Sequence, residues 1–166
     1  MSQNLDVKKN DGVEAGSAIR QFLIFQLANE YYGIDILRVN TIQCLDRPTP
    51  LPDTPSYLLG VVNLRGEIVP VIDLRRRFGL ESVAESGNTV VVIVRAEGEQ
   101  ERTVGIVADA VCDVSDMNVA DIQPAPDVGD VNSVYLKGLV NNGERMVVIL
   151  DLDRLVADVI LDRTAA

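Results

Sequence analysis

Apolar runs of strand length alternate with short polar breaks along most of the chain. The first covers Phe22 to Leu27. A break at Ala28-Asn29-Glu30 separates it from a second, Tyr31 to Val39. Further runs cover Gly60 to Val62, Ile68 to Ile72, Val90 to Val94, Thr103 to Val111, Gly138 to Val140 and Met146 to Leu150. They are rich in Val and Ile and bounded by Gly, Asn, Asp and Pro, which is the pattern of β-strands. Short strands at this spacing predict small barrels or a sandwich.

Helix signals interrupt the pattern in three places. In the stretch TPSYLLG, Thr54 reads as an N-cap, Pro55 as the first helical residue and Gly60 as a left-handed stop. Asp73 reads as the cap of LRRRF, which Gly79 ends. Asp151 reads as the cap of a longer final helix. That helix carries Leu152, Leu155, Val156, Val159 and Ile160 on one face, the spacing of a helix docked on a core.

The chain also repeats itself. Residues 57–74, YLLGVVNLRGEIVPVIDL, align without a gap on residues 135–152, YLKGLVNNGERMVVILDL, at a shift of 78. Upstream, YGIDILRV (32–39) resembles VGIVADAV (104–111) at a shift of 72. Two similar halves are the economical reading. The expected layout is a loose tail over 1–19, a first β half over 20–80 and a connector over 81–88. A second β half over 89–152 and a C-terminal helix over 153–166, docked on the core, complete it.

Composition narrows the function. The chain has 166 residues and a formal charge of -10. An acidic chain is a poor binder of nucleic acid, which calls for clustered Lys and Arg. No apolar stretch approaches the roughly 18 residues of a membrane span, and the N-terminus carries no secretion signal, so a cytoplasmic protein without membrane insertion is expected. Cys44 and Cys112 fit neither a disulfide framework nor a zinc spacing and read as buried free thiols in a reducing compartment. The absence of histidine removes Ser-His-Asp and Cys-His catalysis, His-ligated zinc and phosphohistidine chemistry.

The remaining candidates for chemistry are weak. Lys137 is the one lysine outside the tail. Glu97, Glu99 and Glu101 read as a solvated hairpin tip, and DVGDVN (127–132) lacks the ligand spacing of a calcium loop. Asp73 and Asp151 read as caps rather than acids or bases. No phosphate-binding glycine loop, cofactor site or metal site is expected, and no enzyme. Arg75-Arg76-Arg77 reads as a solvated cluster favouring the negative end of a helix, with contact to an acidic partner as the sharper alternative.

The stretch Asn63-Leu64-Arg65-Gly66 is more informative. It is expected to connect two paired strands, with Asn63 and Gly66 taking positive φ and Leu64 and Arg65 projecting from the tip. The matching turn of the second half, Asn141-Asn142-Gly143-Glu144, has no Leu-Arg pair, so a turn here does not need them. Contact with a partner and simple internal packing both remain open for Leu64 and Arg65.

Four blocks carry a resemblance across residues 21 to about 156: FLIFQLANEYYGIDILRVNTI, TPSYLLGVVNLRGEIVPVIDLRRRFGL, TVVVIVRAEGEQERTVGIVADAV and YLKGLVNNGERMVVILDLDRLV. In this order they resemble the CheW family of bacterial chemotaxis coupling proteins. The resemblance implies a mostly β fold of two five-stranded SH3-like barrels with short helices. It also implies a non-enzymatic adaptor linking the cytoplasmic tip of a methyl-accepting chemoreceptor to the regulatory domain of a CheA-type histidine kinase, recruited to membrane receptor arrays. Val39, Asn63, Leu64 and Arg65 match positions in or beside the family's receptor-facing groove. Gly60 matches a glycine near coupling surfaces, kinase binding among them, although a helix-stop role accounts for it equally. Thr41 stands where the family often has Glu. An adaptor of a chemosensory pathway not controlling motility, a CheV-like protein and a small-barrel ligand binder are the alternatives.

Overall fold

The computed structural model describes residues 18–80, 89–98, 100–124, 134–143 and 145–165, with side chains of the final helix described to Val159. Most of the expected tail, the connector 81–88, the DVGDVN stretch, Glu99 and Glu144 lie outside the described residues.

Among the described residues ten strands form in chain order. β1 (Ile19–Leu27), β2 (Glu30–Asp35), β3 (Val39–Cys44), β4 (Leu58–Leu64) and β5 (Glu67–Ile72) precede the short helix α1 (Leu74–Phe78). β6 (Val90–Ala96), β7 (Arg102–Ala108), β8 (Ala110–Asn118), β9 (Leu136–Asn141) and β10 (Met146–Leu150) precede α2 (Leu152–Ala165). They make two five-stranded sheets, β9-β10-β2-β1-β8 and β3-β6-β7-β5-β4, which we call barrels I and II. The expectation of two five-stranded SH3-like barrels holds.

The sequence halves and the barrels do not coincide, which corrects the expected division at the connector. Barrel I takes β1 and β2 from the first half and its other three strands from the second; barrel II is the converse. Connection length is the physical reason. β2 and β8 both run antiparallel to β1, on its two sides. Were each half a barrel of its own, its second and third strands would likewise run parallel and need a long crossover. Only Asp109 separates β7 from β8, and Ile36–Arg38 separate β2 from β3. The third strands therefore go to the other barrel.

Each sheet closes through one bridge. Thr49, beyond β3, exchanges two backbone hydrogen bonds with Val61 of β4, at 2.8 and 2.9 Å. Gln123, beyond β8, does the same with Leu139 of β9, at 2.8 and 2.7 Å. A register shift precedes Gly60 in β4 and Gly138 in β9 at corresponding places. A Cβ on Gly60 would lie 2.2 Å from the Thr49 carbonyl oxygen, and one on Gly138 would lie 2.3 Å from that of Gln123. Gly60, at φ 146°, is thus a strand residue where two backbones touch, not the stop of a helix. The TPSYLLG helix is absent: β4 already begins at Leu58, and the Thr54 hydroxyl donates back to the Leu51 carbonyl.

Alternation along the strands divides the core in three. Phe22 and Ile24 of β1 face the inside of barrel I with Met117, Val140, Val147 and Ile149. Val91 and Ile93 of β6 face the inside of barrel II with Val69, Val71 and Val107. The intervening residues, Leu23, Phe25 and Leu27 of β1 and Val92, Val94 and Ala96 of β6, form one core shared by both barrels. Leu155, Val156 and Val159 of α2 close it, as the spacing predicts. Cys44 and Cys112 are exposed, because both sit on the third strands, which lie at sheet edges and turn these positions to solvent. No helix among the described residues is long and apolar enough to cross a membrane.

Candidate interaction site

The β4–β5 hairpin is tighter than expected. Leu64 pairs with Glu67, so the turn is Arg65-Gly66 alone, with φ of 53° and 88°. Positive φ falls on Arg65 and Gly66, and Asn63 remains in the strand. The Asn63 side chain still serves the turn, since its Oδ1 accepts a 2.9 Å hydrogen bond from the Gly66 amide. Leu64 is half-buried against the barrel II core, which answers its packing alternative. Arg65 is exposed and has no ion-pair or hydrogen-bond partner among the described residues. Its guanidinium is free to reach a carboxylate on another surface.

Val39 opens β3 opposite Val94 of β6 and is half-buried on the shared core. Sheet order sets β3 and the hairpin strand β4 at opposite margins of barrel II. The Thr49–Val61 bridge then returns the chain from the β3 margin to β4. Thr41 is half-buried opposite Ile93 on β3. Gly60 lies beneath that bridge, where it sets strand spacing and presents no side chain.

Three polar assemblies escaped the sequence reading. Arg75 is not part of a solvated cluster but is buried at 4% exposure. Its Nε and Nη2 donate to the two Asp73 carboxylate oxygens at 2.9 Å each, and its Nη1 donates to Asp109 Oδ1 at 2.7 Å. These hydrogen bonds, Asp73's foremost and against the opposing effect of burial, hold the guanidinium's pKa above its ordinary value. Asp73 is also the expected cap of α1, accepting from the Arg75 amide, and Gly79 ends that helix at φ 71°. Arg38 donates twice to Asp153, at 2.8 and 2.9 Å. Arg77 stacks over the rings of Tyr57 and Tyr135 and donates to the Tyr135 hydroxyl, which donates in turn to Asp158. Of the triplet, Arg76 alone is exposed. One signal was available: Tyr57/Tyr135 and Asp73/Asp151 are matched pairs of the repeat.

The converging acids are therefore committed to arginines. Asp73 and Asp109 meet on Arg75, and Asp153 meets Arg38. Among the described residues no group of three acidic or cysteine side chains could hold a metal ion. Lys137 lies on a shallow open depression with Arg20, Asp35 and Phe22, where Arg20 and Asp35 pair at 3.0 Å. The hairpin of barrel II presents the exposed Arg65 at its tip.

Comparison with known proteins agrees. The family model described as the CheW-like domain matches residues 21–159. Over 145 residues the chain is 44% identical to the chemotaxis protein CheW of Klebsiella aerogenes, with 86% of each chain covered. It is 32% identical over 139 residues to the protein FrzA of Myxococcus xanthus, covering 82% of this chain and 85% of that one. The crystal structure of the scaffolding protein TtCheW from Thermoanaerobacter tengcongensis matches with a TM-score of 0.76 at 33% identity, over 83% of this chain and 88% of that one. Two barrels built by exchanged hairpins, with this family model spanning both, place the chain in the CheW-like domain family.

Proposed function

We propose that this protein is a non-catalytic adaptor of chemotaxis signalling that joins chemoreceptor cytoplasmic tips to a CheA-type histidine kinase. Relatives named as chemotaxis proteins and a solved scaffolding protein of the same fold support the adaptor role. In this reading the protein works in the cytoplasm and is recruited to membrane receptor arrays. Val39, Asn63, Leu64 and Arg65 serve the receptor side, Leu64 and Asn63 by fixing the tip that Arg65 crowns. Gly60 acts on kinase coupling only through the strand spacing it permits.

The observation that carries the receptor assignment is Arg65 itself. An L-residue in the left-handed region costs about 1 kcal/mol or more, a strain that concentrates at functional positions. Elsewhere Ala28, Asn29 and Asp53 also hold positive φ, and the Ala28 amide is tied down by Asp109. Arg65 has no such tether. No contact among the described residues calls for an arginine at this turn, which supports a use outside the molecule. An adaptor contact of ordinary size buries roughly 800 Å² per partner, and weak contacts gain strength when several are engaged together.

Titration of a receptor cytoplasmic fragment tests the assignment. Arg65→Glu should weaken binding by about tenfold or more, the size of a lost charged contact of about 1.4 kcal/mol, with the melting curve unchanged. Undiminished affinity in a folded Arg65→Glu protein rejects the receptor role of the hairpin.

A further inference from the structure

Two ion pairs occupy matching junctions of the two barrels, with the charges reversed. At one, Arg75 of α1 donates to Asp109, which stands between β7 and β8, and Asp109 Oδ2 accepts from the Ala28 amide at 2.7 Å. At the other, Asp153 of α2 accepts from Arg38, which stands between β2 and β3, and also from the Glu97 amide at 2.7 Å. Positions 75 and 153 correspond in the repeat, as do 73 and 151. Arg38 and Asp109 both lie in the connection between the second and third strands of their halves, Arg38 one residue beyond strict correspondence. Ala28 and Glu97 are each the first residue beyond the first strand of a half. Each junction thus holds a helix residue and a connection residue of one barrel, while a carboxylate takes a turn amide from the other. The helix supplies the cation in one and the anion in the other.

This reversal decides which halves fit. The hairpin that opens a half cannot join that half, because the link to the third strand, Ile36–Arg38 in the first and Asp109 in the second, is too short for a crossover; it needs the last three strands of another half. The second half of the same chain is one host. The same-numbered half of a second copy is another, since the repeat gives it the same strand order and the same bridge. In that homotypic exchange Arg38 of one copy would meet Arg75 of the other, and Asp109 would meet Asp153. Like charges at a junction that is 4% and 15% exposed in its native form are disfavoured by both repulsion and burial.

We propose that the opposed polarity of Arg75–Asp109 and Arg38–Asp153 makes the two halves complementary to each other and incompatible with themselves, which confines hairpin exchange to unlike halves. Without it, copies folding at high concentration would pair like halves as well, a further route to swapped dimers beside exchange between unlike halves, whose junctions keep their native pairs.

The half-exposed pair is the one to alter, because at 26% and 36% exposure it tolerates substitution. The double variant Arg38→Asp with Asp153→Arg keeps an ion pair but gives both junctions the same polarity. Arg38→Gln with Asp153→Asn removes the sign altogether. Isotope-labelled and unlabelled full-length protein would be mixed, unfolded together in urea and refolded over a range of concentrations. Native mass spectrometry then reads the fraction of mixed dimer, with samples mixed only after folding as the baseline for surface association. Any wild-type excess over its baseline reports exchange between unlike halves, whose ion pairs stay native. The reversed variant should exceed wild type by about tenfold, a shift of about 1.4 kcal/mol, and the neutral variant by a smaller factor. Should the reversed variant not fold, the neutral one decides. Mixed dimer at baseline in every variant that folds overturns the proposal, as does wild type forming mixed dimer as readily as the variants.

Discussion

Arg65 holds a backbone conformation that glycine would adopt without steric cost, and the second half uses Gly143, at φ 80°, in its own turn. Arg65→Gly should therefore leave the melting temperature equal or higher while reducing receptor affinity as Arg65→Glu does. A drop in stability with unchanged binding would mean that the arginine serves the fold. Gly60 gives the opposite result. Adding a methyl 2.2 Å from the Thr49 oxygen forces two bridged strands apart, and Gly60→Ala should cost about 2 kcal/mol or more in urea unfolding. Tyr32 supplies a pH signature. Burial, with the Glu30 charge second, pushes its hydroxyl from 10.0 to about 12. Because the folded value lies above the unfolded one, the buried phenol's contribution is complete below pH 10.0 and is lost as pH rises toward about 12. Unfolding free energies measured across that window should fall, and Tyr32→Phe should flatten the fall. At this scale the sequence was readable wherever a residue's role is local, as with the Asp73 cap and the Gly79 stop. It misled where the role depends on distant partners: Arg75 looked solvated until Asp109 came from 34 residues away.

Among the elements, the strands with one buried face were legible from their Val and Ile runs, and the third strands were not. The run from Tyr31 to Val39 hides a break, because Ile36 packs on the shared core even though the chain there is a 3-10 turn capped by Asp35. The same occurs at Asp109, inside the run from Thr103 to Val111. At both places the chain passes from one barrel to the other without changing its apolar character, so periodicity alone could not mark the step. β3 and β8 carry several exposed residues and alternate poorly, as edge strands do. Buried polar contacts secure the step. Arg75 joins α1 to the β7–β8 connection, and Asp109 joins that connection to the β1–β2 turn. Arg75→Met should thus destabilise the protein by about 3 kcal/mol or more, because it strands Asp73 and Asp109 without a counter-charge. Thermal and urea unfolding check this, and a near-neutral result would show that Asp109 is solvated.

For the molecule as a whole, neither barrel is a separate unit. Leu23, Phe25 and Leu27 share a core with Val92, Val94 and Ala96, and the aromatic row Phe25, Tyr32, Phe78 and Tyr135 threads α1 between elements of barrel I at centroid spacings of 6.2 to 6.3 Å. The slowest-exchanging amides of β1 and β6 should accordingly report the same opening free energy; a gap of more than about 1 kcal/mol would show barrels that open independently. Two similar β-rich halves could be read from the strand runs and the repeat, and two barrels from the family resemblance, but which strands pair could not, since pairing is fixed by connections rather than by composition.

Trading hairpins also imposes an order on synthesis. β1 and β2 are made first, yet the strand that flanks β2, β10, begins only at Met146. At a ribosomal pace of about 5–20 residues per second, this apolar hairpin waits on the order of ten seconds for its neighbour. During that interval Leu23, Ile24 and Phe25 lack the cover that leaves them almost inaccessible in the finished molecule. The β1–β2 hairpin is thus the part of the two barrels that stands longest without the strand that covers it.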